Sequence, residues 1–437
     1  MPSSTKNKVP RGRRAVVIGG MRTPFVKAFA EFLKLDTIAL GVAAVRGLLD
    51  RYPIPRREID AVVWGGVILP GLAPNIGREI ALDLRLDARV EAMTVTRACA
   101  SGLQAVTLAA AAIERGEADV IIAGGSDSTS NAEVKLPQKV VHAAVPLLYG
   151  KPTPSDVLGM LGQLLPLSEV LPRVPRIAER TTGKLMGESA EDMARRNEIP
   201  RAAQDEFAVR SHHRAAAAIA SGRFAQEIVP VEGGGRWVHT DTLVRADTSV
   251  EKLARLKPVF ASDGTLTAGN SSALTDGGAA VLLMSEEKAA ALGLTALARF
   301  ASWAYVGVDP ADQLLIGPAL AMPLALSRAG YELPQIDLVD MHEAFAAQVL
   351  SVLKVLASEA FARNRLGRDS AVGHIDPERL NVHGGSLALG HPFAATGARM
   401  ITTMANELHA TGKKTALLGL CAAGGLGAAA VLENAAS

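Results

Sequence analysis

Apolar residues follow two different periods along this chain. Short apolar runs rich in β-branched residues predict strands at Ala15–Ile18, Asp60–Val63, Met93–Thr96 and Asp119–Ala123. Between the runs, apolar residues recur every three to four positions, which predicts helices at Leu35–Leu49 and Ser101–Arg115. Strands that alternate with helices in this way predict an α/β protein with mostly parallel sheets.

The pattern occurs twice. Ile54–Val63 and Leu333–Asp340 each follow a predicted helix and share a proline followed by an Ile-Asp strand start. Further on, Met93–Ala123 and Leu380–Leu420 each read as strand, small-residue turn, Ala-rich helix and strand. The repeat predicts two related α/β halves packed together, and chance similarity of two βαβ units is the alternative.

A stretch of different composition separates the halves. Residues 137–175 hold seven prolines among apolar residues, which excludes long helices and favours a folded insertion over a solvated linker. Helices are predicted after it, at Ala190–Asn197 and Arg201–Ser221. The predicted organisation is a basic tail at 1–14, a first half at 15–130 and 270–290, an inserted loop domain at 131–269 and a second half at 291–437.

Composition and charge narrow the classes of partner. The chain is 49% hydrophobic with mean hydropathy +0.20. Its net charge of +2 is too small to attract nucleic acid by electrostatics. The first fourteen residues carry five cations and no acid, which we interpret as a frayed tail, with a transit peptide as the alternative. No apolar run reaches the roughly 18 residues of a membrane span, and no signal-peptide pattern opens the chain.

Cysteine usage points to reactive thiols rather than scaffolding. Two cysteines, Cys99 and Cys421, exclude a disulfide framework and fit a cytoplasmic protein. Neither has histidine spacing nearby that suggests a zinc site, so no metal is expected. Cys99 lies in the run Arg97–Gly102, where a strand turns into a helix. A helix N-terminus stabilises a thiolate, which predicts a lowered pKa and a nucleophile; a buried structural cysteine is the alternative.

Three more positions carry candidate chemistry. His391 precedes Pro392, which predicts a loop that can aim the ring into a cleft as a base. Cys421 follows the strand Thr415–Leu420, at the strand end where α/β sheets bind ligands. His342 follows another strand and precedes the predicted helix Ala344–Leu356, so a neutral ring could donate to an oxyanion or a water. The alternatives are a merely hydrogen-bonded histidine at 391 and a capping role for His342 and its neighbour Glu343.

Taken together, these motifs resemble the thiolase superfamily. The elements R-A-C-A-S-G, H-E-A-F, G-H-P and C-A-A-G-G-L-G occur in the family's order and spacing, within a resemblance that runs from Arg14 to Leu432. His-Glu-Ala-Phe and the Pro-rich insertion look most like bacterial 3-ketoacyl-CoA thiolases of the trifunctional-enzyme β-subunit type. The resemblance implies a five-layer αβαβα fold of two related halves with an inserted loop domain that binds CoA and substrate.

The resemblance also implies roles for these residues. Cys99 would be the acyl-accepting nucleophile, His391 its base, and Cys421 the acid that protonates the departing carbanion. His342 would position a donor for one oxyanion, and the backbone N–H groups of Cys99 and Ala423 would bind the other. Ala423 stands where the family commonly has glycine, which restricts φ at that position.

Coenzyme A would be a co-substrate, with no permanently bound cofactor. Ser272 matches a family position that touches the pantetheine arm, Arg245 one near the nucleotide phosphates, and Met186 one in the substrate pocket. For Ser272 and Arg245 a surface loop contact is the alternative. Leu185 stands where short-chain members often carry histidine, which favours longer or bulkier acyl groups.

The family assembles as dimers or tetramers, so a homodimer or tetramer is expected. Further hypotheses are a hydratase–dehydrogenase partner and peripheral membrane contact through the apolar insertion. The alternatives in function are biosynthetic condensation of acetyl-CoA, a non-catalytic lipid or sterol carrier, a ketosynthase-type enzyme and a cysteine hydrolase. Ketosynthases lack the second cysteine, and the carrier leaves the Cys–His–Cys set unexplained.

Overall fold

The structure, a computed structural model, describes residues 12–151, 153–166, 169–171 and 177–436. By its internal contacts the chain divides into a large unit, up to Asn131 and from Ala178 onward, and a small unit, Ala132–Ile177. Most of the predicted basic tail, residues 1–11, lies outside the described residues. Arg13, at its end, forms an ion pair with Asp119.

The strands of the described residues all lie in the large unit, in one ten-stranded sheet and one two-stranded ribbon. They are β1 (Ala15–Arg22), β2 (Val26–Lys27), β3 (Ala61–Gly65), β4 (Glu91–Val95), β5 (Val120–Ser128), β6 (Val231–Gly233), β7 (Arg236–Val238), β8 (Thr275–Ser285), β9 (Ala298–Gly307), β10 (Leu338–Met341), β11 (Thr415–Ala422) and β12 (Leu426–Asn434). The helices of the chain are α1 (Thr37–Arg51), α2 (Ile76–Asp83), α3 (Ser101–Glu114), α4 (Gln138–Tyr149), α5 (Pro154–Gln163), α6 (Met186–Arg196), α7 (Arg201–Ala220), α8 (Val250–Ala254), α9 (Glu286–Ala291), α10 (Pro318–Ala329), α11 (Ala346–Leu356), α12 (Glu359–Phe361), α13 (Ser386–Leu389) and α14 (Ala395–Thr411).

The strand order confirms the internal repeat. The strands run β10-β11-β12-β9-β1-β8-β5-β3-β4, and β1 and β9 join the two halves through two residue pairs. Read outward from that junction, β1-β8-β5-β3 and β9-β12-β11-β10 have the same order and the same directions of pairing. The outermost β4 has its counterpart in a single parallel bridge between Val339 and Leu380.

The prediction of mostly parallel sheets is wrong. In the part of the large sheet that is described, only β3–β4, β3–β5 and β10–β11 pair in parallel, and the remaining pairs are antiparallel. The antiparallel pairs arise because β8 and β12 enter the sheet in the direction opposite to that of their neighbours β5 and β11. β12 follows β11 after a tight turn that reverses the chain, and β8 re-enters the first half antiparallel to β5.

Side-chain alternation along the strands builds the layers. In β1 and β3, Val16 and Val62 face an outer core shared with α1 and α2, whereas Val17 and Val63 face a central core shared with α3 and α14. The second half repeats this with α10 and α11 outside. The layers are therefore α, β, α, β, α, as the resemblance implied. Gly102 lets the two central helices meet, because a Cβ there would lie 2.1 Å from a backbone oxygen of α14's first turn.

The small unit is a pair of short helices, α4 and α5, that pack against each other. They have 12 and 10 residues, in keeping with the proline-dense sequence. Thr153 and Asp156 form a capping box at the start of α5. Leu148, Tyr149 and Leu158 are 69%, 86% and 73% exposed, so this unit presents an apolar surface. Among the described residues, no helix is long and apolar enough to cross a membrane.

Candidate active site

Cys99 occupies a tight turn between β4 and α3, as the sequence predicted. Ala98, just before it, has φ of +45°, a left-handed conformation that is uncommon outside glycine. The Ser101 hydroxyl holds the turn: it accepts the Arg97 N–H at 2.7 Å and donates to the Ala98 carbonyl at 2.6 Å. Cys99 is thereby held just ahead of the helix, and it keeps partial contact with solvent.

Two histidines converge on this cysteine. His342 follows β10 directly, and His391 lies on the link between α13 and α14. The Sγ of Cys99 and one ring nitrogen of each histidine all lie within 4.8 Å of one another. The two ring centroids are 4.1 Å apart, with the planes tilted by 45°. Three segments that are far apart in the sequence therefore bring one sulfur and two imidazoles close together.

A hydroxyl group fixes each imidazole. The Ser386 Oγ lies 2.9 Å from Nδ1 of His342, and the Thr396 Oγ1 lies 2.7 Å from Nδ1 of His391. Within the described residues, the Nε2 atoms of both rings are buried without a hydrogen-bond partner. Buried polar atoms are nearly always partnered, so these two nitrogens are free to meet a substrate.

Sequence reasoning missed both hydroxyl residues. Ser386 and Thr396 stand among small and apolar residues in the stretch around Gly390-His391-Pro392. That contrast was the available signal, because a hydroxyl in such a stretch needs a hydrogen-bond partner of its own when it is buried.

Electrostatics keep the resting groups neutral. Burial raises the pKa of the Cys99 thiol to about 11, and the charge of Asp127 raises it as well. The backbone N–H of Ala423 acts in the opposite direction and lowers this pKa. Burial, aided by the Arg399 charge, lowers the pKa of His391 to about 3. The predicted lowering of the Cys99 pKa is therefore wrong, because desolvation outweighs the helix N-terminus and the N–H donors.

The charge that acts on the histidines comes from a buried ion pair. Arg399 Nη1 lies 3.0 Å from Asp340 Oδ2, and both side chains are almost fully buried. Burial lowers the pKa of His342 well below its usual value, and the charges of His391 and Arg399 act in the same direction. Both rings are thus neutral at physiological pH.

Cys421 lies within β11, opposite Gly427, and is buried. The prediction that it follows the strand on a loop is wrong, because the pairing of β11 with β12 continues to Ala422. Burial raises the pKa of Cys421 well above the usual value, and a negative charge on Cys99 would raise it further.

The backbone N–H of Ala423 favours the Cys99 thiolate, because it lowers the pKa of that thiol. Gly424 and Gly425 supply the positive φ that the turn needs, at +82° and +67°. Ala423 itself has no such φ, so alanine fits there without strain.

Two buried carboxyl groups hold the loops of the site. Asp127 accepts the Ile68 N–H at 2.6 Å and the Ala394 N–H at 2.8 Å, which ties the histidine-bearing loop to β5. Burial raises the pKa of Asp127 to about 7. Glu343 accepts from Ser211 and from Asn381, both at 2.6 Å. No local sequence pattern predicts these contacts, because the partners are far apart in the sequence.

The capping alternative for His342 and Glu343 is wrong. Helix α11 begins at Ala346, its N-cap is Phe345, and no side chain caps it. His342 instead extends β10, and its backbone N–H donates to the Gly419 carbonyl of β11 at 2.8 Å. The sheet, rather than a helix end, therefore positions this ring.

The proposed CoA and substrate residues lie in three settings. Ser272 donates its N–H to the Ala344 carbonyl at 3.0 Å, next to the His342 segment. Met186 is half-buried at the start of α6. The segment just before it, Ala178–Leu185, folds back on itself. It contacts the turn at 423–425, where Glu179 accepts the Gly424 N–H at 3.0 Å. Arg245 is exposed beside α7, with its backbone N–H 3.2 Å from a ring nitrogen of His212.

Comparisons with known proteins agree with this arrangement. Two family profiles, "Thiolase, N-terminal domain" and "Thiolase, C-terminal domain", match residues 15–287 and 294–434. A curated "3-ketoacyl-CoA thiolase" of Pectobacterium atrosepticum is 45% identical over 426 residues, which cover 97% of each chain.

Solved structures are similar over the same length. A Bacillus anthracis acetyl-CoA acetyltransferase matches with a TM-score of 0.81 and 33% identity, over 97% of this chain and 99% of that one. Human mitochondrial 3-ketoacyl-CoA thiolase in complex with CoA matches with a TM-score of 0.82 and 28% identity, over 97% and 98%.

Proposed function

The chain belongs to the thiolase family and is an acyltransferase, and from this premise we propose that it is a 3-ketoacyl-CoA thiolase. It would use CoA to cleave 3-ketoacyl-CoA into acetyl-CoA and an acyl-CoA shortened by two carbons, in fatty acid β-oxidation. The observation that carries the proposal is the convergence of the Cys99 sulfur with one nitrogen each of His342 and His391.

The first half-reaction would be acylation of Cys99. His391 Nε2 takes the thiol proton while the sulfur attacks the 3-keto carbon, and the C2–C3 bond then breaks to release acetyl-CoA as its enolate. The thiol and the imidazole are both neutral at rest. The proton must therefore move as the S–C bond forms, because a preformed ion pair is unfavourable in this buried site.

The remaining groups would complete the cycle. Cys421 donates its proton to the C2 carbanion and is left as a thiolate. The second CoA then gives its thiol proton to Cys421 and takes the acyl group from Cys99, and the leaving Cys99 thiolate regains its proton from His391, which completes a ping-pong sequence. The oxyanion of the keto carbon would be bound by His391 and a donor held by His342. The thioester oxyanion would be bound by the backbone N–H groups of Cys99 and Ala423, and the effect of the Ala423 N–H on the pKa of Cys99 supports this.

Substrate would bind through the loop domain. We assign Ser272 to the pantetheine arm and Arg245 to the nucleotide phosphates, since Arg245 is an exposed cation at the surface. Met186 and Leu185 would border the acyl group. A leucine at 185 favours acyl chains longer than acetoacetyl.

We further infer that the protein is a cytoplasmic homodimer or tetramer. In the described part of the sheet β4 is the outer strand of the first half, and Met93 on it is 39% exposed. Leu72, between β3 and α2, is fully exposed. An unpaired strand edge with apolar side chains is suited to pairing with a second copy. The apolar surface of α4 and α5 would contact a membrane face or a hydratase–dehydrogenase partner, and co-sedimentation with anionic vesicles tests the former.

The test is a thiolysis assay on the purified full chain, with acetoacetyl-CoA and a long-chain 3-ketoacyl-CoA. The proposal expects CoA-dependent cleavage of both, with the higher kcat/KM for the long chain. Activity confined to acetoacetyl-CoA would favour an acetyltransferase. Release of free acid without CoA would favour a hydrolase, and tight binding without turnover a carrier.

A further inference from the structure

We propose that Cys99, His342 and His391 form an inhibitory binding site for one Zn²⁺ ion. The sequence showed no zinc spacing, because the three side chains come from segments far apart in the chain, and the fold alone brings them together. The ion would be an inhibitor rather than a cofactor, so the reaction itself is still expected to need no metal.

The donor set is of the kind zinc prefers. One thiolate sulfur and two imidazole nitrogens match mixed Cys/His sites, in which three protein ligands leave a fourth position open. The ligand atoms lie within 4.8 Å of one another. With Zn–S of about 2.3 Å and Zn–N of about 2.0–2.1 Å, tetrahedral ligands lie roughly 3.5 Å apart, so small side-chain rotations would close the site.

Each histidine is already held as a metal ligand is held. The Nδ1 atoms contact Ser386 and Thr396, and the Nε2 atoms are buried and unpartnered within the described residues. Metal-binding histidines almost always use the second nitrogen for such an outer contact, which fixes the ring.

Binding would stop catalysis directly. The Cys99 S–H bond breaks, its proton passes to the solvent, and an S–Zn bond forms with no change in oxidation state. The ion draws the charge of the thiolate into the S–Zn bond, which makes the sulfur a poorer nucleophile and blocks the approach of the acyl group. His391 Nε2 uses its one lone pair to bind the ion and cannot accept a proton. Cys421 lies outside the group of mutually close ligand atoms, so its thiol would not be required.

The test uses the untagged full chain after removal of metal with a chelator. Zn²⁺ affinity and stoichiometry are measured by competition with a chromogenic chelator, and Co²⁺ serves as a spectroscopic probe of the ligands. We expect one tight Zn²⁺ per chain and a thiolate-to-Co²⁺ charge-transfer band. Cys99→Ser should abolish the band, and His342→Asn should weaken Zn²⁺ binding at least ten-fold. Cys421→Ser is the matched control and should retain the band and the affinity.

Three results would overturn the proposal. They are wild-type protein without a tight site, a Co²⁺ spectrum without the thiolate band, and equal Zn²⁺ affinity in Cys99→Ser and wild type. If Cys421→Ser loses the band as Cys99→Ser does, the ligands are misassigned and the proposal fails. Because these readouts need no turnover, they stand or fall separately from the thiolase assay.

Discussion

The most informative perturbation is Thr396→Val, which removes the hydroxyl that holds His391 and keeps the side-chain shape. In the native structure Thr396 Oγ1 lies 2.7 Å from the buried Nδ1 of His391. The variant leaves that buried nitrogen without a partner. Thr396→Ser, which keeps the hydroxyl, should restore the function.

The size of the effect follows from the cost of an unpartnered buried group. Removing one partner of a buried hydrogen bond costs about 1–3 kcal/mol. If the whole cost falls on the acylation transition state, kcat/KM drops by about 5- to 150-fold. The ring would also lose its fixed orientation, so alkylation of Cys99 by iodoacetamide at pH 8 should slow as well.

Thr402→Val is the matched control. Thr402 is buried on the same helix, and its hydroxyl donates to the Ala398 carbonyl at 3.0 Å rather than to a histidine. Both variants should lose similar thermal stability, while only Thr396→Val loses kcat/KM. Equal activity in the two variants, at equal folded fraction, would refute the role given to Thr396.

Three further outcomes are expected. The rate of Cys99 alkylation, followed by peptide mapping, should rise about ten-fold per pH unit from pH 7 to 9, because the thiol pKa is about 11; a plateau near pH 8 would contradict this. Asp127 ionises less readily folded than unfolded, with a pKa of about 7, so native stability falls as pH rises from about 4 to 7. The free energy of unfolding in urea should therefore rise for Asp127→Asn relative to wild type, by up to about 4 kcal/mol between pH 4 and pH 7. If the difference in unfolding free energy between the two proteins does not change with pH, this reasoning is wrong. Gly390→Ala places a Cβ 2.4 Å from Thr275 at φ of +94°. It should lower the free energy of unfolding by about 1–3 kcal/mol and abolish most activity. Gly412→Ala, at φ of +69° with open space around the new Cβ, should lose less stability and keep its activity. A Gly390→Ala enzyme as stable and active as Gly412→Ala would show that the close packing beside His391 is unimportant.

Local sequence patterns predicted most elements of the fold. The predicted helix Arg201–Ser221 matches α7 to within one residue, because a proline and a glycine mark its ends. The repeat of Ile54–Val63 and Leu333–Asp340 correctly indicated two related halves, since each precedes the equivalent strand of its half. The direction of β8 and β12 escaped prediction, because apolar periodicity carries no information on how a strand enters the sheet.

The chemistry was harder to predict than the fold. Motifs placed Cys99 and His342 at the ends of strands and His391 on a loop, where the structure has them, but the predicted lowering of the Cys99 pKa was wrong. The pKa of that thiol depends on burial by segments remote in sequence, and on Asp127, none of which a local motif reports. The hydroxyl at Thr396 was equally hidden, because its partner is known only once the loop is folded.

One measurement bears most directly on the claim that Cys99 carries the acyl group. The full chain would be incubated with acetoacetyl-CoA, quenched in acid and mapped by mass spectrometry, with and without a chase of CoA. We predict one acetyl group per chain, on Cys99, that CoA removes within one turnover as acetyl-CoA. An acetyl group on Cys421, or a Cys99 adduct that water discharges and CoA does not, would contradict the assignment of both sulfurs.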